Sequence, residues 1–75
     1  RILVIDDDAT VTGVLRRGLA LEGFTVDAVA SGSQGLALFR DYTPDLVILD
    51  VMMPGIDGIE VLRRLRAATA DLPVL

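Results

Sequence analysis

Two runs of four aliphatic residues, Ile2-Leu3-Val4-Ile5 and Leu46-Val47-Ile48-Leu49, each stop abruptly at aspartate. Neither run alternates with polar residues, which predicts strands buried on both faces, as in a parallel sheet. Between them Val11, Val14, Leu15, Gly18 and Leu19 recur at helical spacing, with Arg16 and Arg17 on the other side and Gly23 as a C-terminal stop. Phe24, Val26 and Ala28 alternate with Thr25 and Asp27, the pattern of a half-covered strand near a sheet edge. Ser31-Gly32-Ser33 reads as loop or cap, and residues 34–41 as a short helix ended by Thr43-Pro44. A loop from Val51 to Asp57 follows, and Ile59, Leu62 and Leu65 then mark a helix with Asp57 placed as its N-cap. Leu72-Pro73-Val74-Leu75 reads as the start of a fourth strand. The order β-α-β-α-β-α-β predicts a doubly wound α/β fold with a parallel sheet and right-handed crossovers.

Composition narrows this picture. The 75 residues are 52% hydrophobic with a mean hydropathy of +0.56. That is apolar for a size at which folding buries only about 60% of the unfolded surface. Residues 1–75 are therefore expected to be the N-terminal portion of a single larger domain. The edge of the fourth strand is then expected to lie uncovered and to invite self-association. All seven basic residues are arginine, and Lys, His, Cys and Trp do not occur. A Ser-His-Asp or Cys-His nucleophile, a Schiff-base or P-loop lysine and any thiolate or imidazole metal site are excluded within these residues. A net charge of −4 disfavours binding to nucleic-acid backbones. The apolar runs are too short to span a membrane, so no membrane partner is expected, and the absence of Cys suits a reducing, cytoplasmic compartment.

What remains is carboxylate chemistry, from nine Asp and two Glu. Asp6, Asp7 and Asp50 each lie at the carboxyl end of a predicted parallel strand, where open α/β sheets bind their ligands. If the first and third strands are neighbours, the three acids converge. Carboxylates so close repel one another unless a cation lies between them, and hard oxygen ligands of this kind suit Mg²⁺ or Mn²⁺. Plainer roles fit the other polar residues. Asp8 and Asp57 are expected to be helix N-caps, as are Thr10 and Ser31. Met52 and Met53 are expected to pack in their loop, although a backbone carbonyl there could face a metal. Arg63, Arg64 and Arg66 read first as a solvated helix face and second as a docking patch.

The segments Ile2-Leu3-Val4-Ile5-Asp6-Asp7-Asp8, Asp45-Leu46-Val47-Ile48-Leu49-Asp50 and Met53-Pro54-Gly55-Ile56-Asp57-Gly58 together resemble a response-regulator receiver domain. The resemblance runs from the first strand to the fourth. It implies a flavodoxin-like sheet of order 2-1-3-4, with the fifth strand absent. It also implies that Asp50 is the phosphoacceptor, that Asp7 ligates Mg²⁺ directly, that Asp6 acts mainly through metal-bound water and that the carbonyl of Met52 completes the ligand set. The implied partners are a sensor histidine kinase, which donates the phosphoryl group, and an output domain further along the chain, often DNA-binding. Such a domain assists its own phosphorylation and is not a turnover enzyme. The family also uses a Thr or Ser at the end of its fourth strand and a Lys at the end of its fifth, positions that the 75 residues do not reach.

Asp6-Asp7-Asp8-Ala9-Thr10 also matches the D-x-D-x-T pattern of haloacid-dehalogenase-like phosphatases. That reading makes Asp6 the nucleophile and Asp8 the general acid/base of an enzyme with turnover. It gives Asp7 no role and leaves the segment from Asp50 to Gly58 unexplained.

Overall fold

The computed structural model describes residues 1–50, 58–69 and 71–75. Six elements follow in chain order: β1 (Ile2–Ile5), α1 (Ala9–Leu21), β2 (Val26–Val29), α2 (Gly32–Asp41), β3 (Leu46–Leu49) and α3 (Gly58–Ala68). The strands form one parallel sheet in the order β2-β1-β3, with Ile5 opposite Val29 on one side and Leu49 on the other. Residues 73–75 extend it toward a fourth member alongside β3. Val74 makes a single parallel bridge to Val47, held by the amides of Val47 and Leu75 donating to the carbonyls of Pro73 and Val47. The predicted fourth strand thus lies beside β3, as the order 2-1-3-4 requires, but as a bridge rather than a ladder.

The central strand is buried as its sequence predicts, with Ile2, Leu3, Val4 and Ile5 all essentially inaccessible. Leu3 and Ile5 join Val47 and Leu49 of β3, Val61 and Leu65 of α3, and Leu72 in the main core, and Leu36, Leu38 and Phe39 of α2 pack against it. The alternation of side chains along a strand sends Ile2 and Val4 to the opposite face, which α1 serves. Beyond β1 that face is thinly covered among the described residues. No residue of α1 is buried, and Val14 is 57% exposed. The prediction that β3 is buried on both faces is corrected for the same reason, since Val47 and Leu49 are buried but Leu46 and Ile48 only half so. Phe24, expected inside the second strand, lies before it and is half exposed, and all four residues of β2 are half-buried.

Helix boundaries follow their caps. The Asp8 side chain accepts from the amides of Thr10 and Val11 and so starts α1, while Thr10, expected as a cap, sits in the first turn. Gly23 follows the end of α1 with φ of +94°, a left-handed conformation that only glycine adopts without strain. Ser31 accepts from the amide of Gln34, so α2 begins at Gly32, two residues before the boundary its apolar pattern marks. The predicted Val51–Asp57 loop, with the Asp57 cap and the Met52 carbonyl, lies outside the described residues. Asp8→Ala is expected to cost about 1 kcal/mol in stability through loss of the cap, and Asp8→Asn only a few tenths. Urea denaturation of the two variants checks this.

The amino end of the sheet holds a polar clamp that the sequence pattern does not announce. The Tyr42 hydroxyl donates to the Asp27 carboxylate at 2.6 Å, and the Arg1 guanidinium donates to the same oxygen at 3.1 Å while stacking 3.9 Å from the Tyr42 ring centre. The hydrogen bond from Tyr42, reinforced by Arg1, holds the Asp27 carboxyl below the usual carboxylate range. Burial, together with the bond to Asp27, pushes the Tyr42 hydroxyl up to about 12. A hydroxyl whose pKa rises on folding contributes stability that is complete below its unfolded value near 10 and is lost as pH climbs through about 12. With no Lys or Cys and a single Tyr, no other side chain of these 75 residues titrates in that window. Unfolding measured from pH 9 to 12 is therefore expected to show a loss of stability that Tyr42→Phe flattens.

Candidate metal and phosphoacceptor site

Asp6 and Asp50 are placed by the ladder itself. Ile5 and Leu49 are the last paired residues of β1 and β3, so Asp6 and Asp50 emerge side by side one step beyond them. Backbone hydrogen bonds pin both: the Asp50 amide donates to the Ile5 carbonyl at 2.9 Å, and the Asp6 amide to the Val29 carbonyl at 3.1 Å. Neighbouring strands lie about 4.8 Å apart, close enough for side chains at matched positions to share a small ligand. Carboxylate oxygens of Asp6, Asp7 and Asp50 all lie within 4.8 Å of one another. Asp7 is exposed, and Asp6 and Asp50 are half-buried.

The turn into α1 gives Asp6 and Asp8 different roles. Asp6 Oδ1 accepts from the backbone amide of Asp8 at 2.9 Å, which fixes one of its oxygens. The Asp8 carboxylate turns toward α1 and caps it, with Oδ1 at 2.9 Å from the Thr10 amide. A general acid/base must reach the reacting group, and this carboxylate is engaged with its own helix. The phosphatase-like alternative therefore loses its second catalytic residue, whereas Asp7, idle in that reading, joins the cluster.

Three carboxylates meeting at the carboxyl end of a parallel sheet form an oxygen donor set of the type that holds Mg²⁺, a hard ion bound through a few carboxylates and retained waters. The residues present fit such an ion. Of the residues predicted for the site, the structure unites Asp6, Asp7 and Asp50, while Met52 lies outside the described residues. The predicted basic run is divided: Arg66 donates to the Leu72 carbonyl, whereas Arg63 and Arg64 both reach Glu60.

Comparison with known proteins agrees with this geometry. The model of the response regulator receiver domain matches residues 2–75. The response regulator MprA of Mycobacterium sp. (strain KMS) is 49% identical across all of this chain, which corresponds to 33% of that protein. The chain thus spans about a third of the length of the curated relatives it matches. Among solved structures, the response regulator TrrA from Thermotoga maritima in complex with Mg²⁺-BeF superposes with a TM-score of 0.92 at 39% identity, over 99% of this chain and 64% of that one. TrrA in complex with the histidine kinase ThkA superposes with a TM-score of 0.91, again at 39% identity over 99% and 64% of the two chains. The parallel sheet superposes on receiver domains and the family match runs from the first strand to the last residue, so the chain belongs to the response regulator receiver domain family.

Proposed function

We propose that residues 1–75 are the N-terminal portion of one receiver domain that accepts a phosphoryl group on Asp50 from a phosphohistidine of a sensor kinase. The observation that carries this reading is the convergence of Asp6, Asp7 and Asp50 within 4.8 Å. Asp50 is the acceptor because it ends a buried strand and its backbone is fixed by the bond to Ile5. One Asp50 oxygen forms the new bond to phosphorus as the bond to the donor nitrogen breaks. That nitrogen keeps the electron pair, and the donor ring, protonated on its other nitrogen, leaves as neutral imidazole beside the acyl phosphate. Transfer of this kind depends on positioning and on neutralising the charge of the equatorial oxygens. Asp6, Asp7, Asp50 and the backbone carbonyl of Met52 are the residues that would hold Mg²⁺, or Mn²⁺ in its place. When bound, the ion supplies electrostatic stabilisation of the transferring group.

The domain is a signalling module and not a turnover enzyme, since its product is the modified protein itself. A kinase partner follows from TrrA, whose complex with ThkA shows a relative of this fold docked on a histidine kinase. The greater length of the MprA relatives leaves room for an output domain, which in such proteins is often DNA-binding. No helix among the described residues is long and apolar enough to cross a membrane. A cytoplasmic location is the compartment in which a kinase and such an output domain would meet this chain.

Metal binding tests the site directly. Titration of the intact protein with Mg²⁺, followed by amide chemical shifts, is expected to saturate with shifts centred on Asp6, Asp7 and Asp50. Asp7→Ala is expected to abolish those shifts while leaving the dispersion of the core amides unchanged. Equal metal binding by the variant would remove Asp7 from the ligand set.

A further inference from the structure

The arginines of α2 and α3 remain outside the phosphoacceptor chemistry. A groove of about 440 Å³ lies between these helices, lined by Ser33, Leu36, Phe39, Arg40, Arg64 and Ala68. Its volume falls in the range of roughly 300–1,000 Å³ typical of ligand clefts. Leu36, Phe39 and Ala68 make the lining largely apolar, two guanidinium groups border it, and no acidic residue is among those six. This is an island of positive charge on a chain whose net charge is −4.

The two arginines are available to a ligand. Arg40 makes no ion pair or hydrogen bond among the described residues. Arg64 reaches Glu60 at 3.3 Å, but Arg63 holds the same carboxylate at 2.8 Å, so one negative charge answers two positive ones. Exposed pairs of this kind hold weakly, and Arg64 can exchange its partner at little cost. A second anion delivered to the groove would find an uncompensated Arg40 and a loosely held Arg64.

We propose that the groove between α2 and α3 docks an acidic peptide segment of a partner protein that carries a bulky aliphatic or aromatic side chain. The apolar side chain fills the space against Leu36, Phe39 and Ala68, and flanking carboxylates pair with Arg40 and Arg64. Arginine suits this role because its planar fork binds a carboxylate through two parallel hydrogen bonds. A concave cleft with two cations fits a protruding side chain better than a flat anionic membrane, and it lacks the basic stripe that nucleic acid requires. The inference is independent of the acceptor chemistry, because none of the three clustered aspartates lines the groove.

The test uses the intact protein and a short fluorescein-labelled peptide of Glu, Leu and Phe, with a counterpart carrying Lys for every Glu. Fluorescence polarisation is expected to show binding of the acidic peptide only, weakening as salt is raised. Arg40→Glu and Arg64→Glu are each expected to weaken it by about tenfold, with Arg40→Gln and Arg64→Gln intermediate. Amide shifts on binding are expected at Leu36, Phe39 and Ala68. Retained phosphorylation and unchanged circular dichroism show that the variants are folded. Absence of binding, equal binding of the Lys peptide, or unchanged affinity in both charge reversals would overturn the proposal. So would displacement of the peptide by equimolar inorganic phosphate. Arginine-dependent binding to phosphatidylserine vesicles without peptide binding would assign the surface to a membrane instead.

Discussion

Replacing Gly35 with alanine is expected to destabilise the domain by about 1–2 kcal/mol, although the same change in an open helix would stabilise it. Gly35 lies in the middle of α2, against the central strand. A Cβ built there would meet Ile5 Cδ1 at 2.4 Å and Cγ1 at 2.8 Å. Ile5 is fully buried and branched at Cβ, so its χ1 is stiff, turning χ2 leaves the Cγ1 clash in place, and no retreat toward solvent is open to it. Overpacking of this kind costs about 1–3 kcal/mol, against which the helix gains up to about 1 kcal/mol from losing glycine. Packing wins. Gly18 supplies the internal control, because it lies in α1 with nothing within 4 Å of an added Cβ. Gly18→Ala is expected to raise stability by about 0.5–1 kcal/mol. Urea denaturation of both variants measures the contrast. Ile5 also accepts the Asp50 amide, so Gly35→Ala is expected to disturb the acceptor as well as the core.

The contact between Gly35 and Ile5 marks the boundary of what the sequence reveals. The strands of the sheet centre are legible because four aliphatic residues ending in Asp is a local signal, and the register of β1 with β3 carries those Asp residues into one cluster. The cap at Asp8 and the stop at Gly23 are equally local. Burial is less legible, since it depends on what covers each face. Leu46 and Ile48 look like Val47 and Leu49 in the sequence, yet they face the other side of the sheet and are only half-buried among the described residues. Thr10 and Asp8 are both good cap residues, and the choice between them is settled by the chain geometry at the strand end. The Arg1–Asp27–Tyr42 clamp and the groove bordered by Arg40 and Arg64 join residues far apart in the chain. No spacing rule brings these together. The basic run of α3 shows how far one segment can mislead, because its three arginines serve two unrelated ends, Glu60 and the Leu72 carbonyl.

The largest functional effect is expected at Asp50. Asp50→Asn replaces one carboxylate oxygen by an amide nitrogen with almost no change in volume, so the fold is expected to persist. It removes an oxygen of the proposed nucleophile and lowers the local negative charge shared with Asp6 and Asp7. Phosphorylation is therefore expected to disappear while stability holds or rises slightly through reduced repulsion. Asp57→Asn, at the expected cap of the third helix, is expected to leave phosphorylation nearly unchanged, which separates loss of a neighbouring carboxylate from loss of the acceptor.

The acceptor assignment is tested most directly by intact-mass analysis of the full-length protein treated with a small acyl phosphate donor and Mg²⁺, followed by peptide mapping of the modified site. One added phosphoryl group is expected, mapped to Asp50, present with Mg²⁺, abolished by chelation and absent from Asp50→Asn. Modification that persists in Asp50→Asn, or that maps to Asp6, would contradict it.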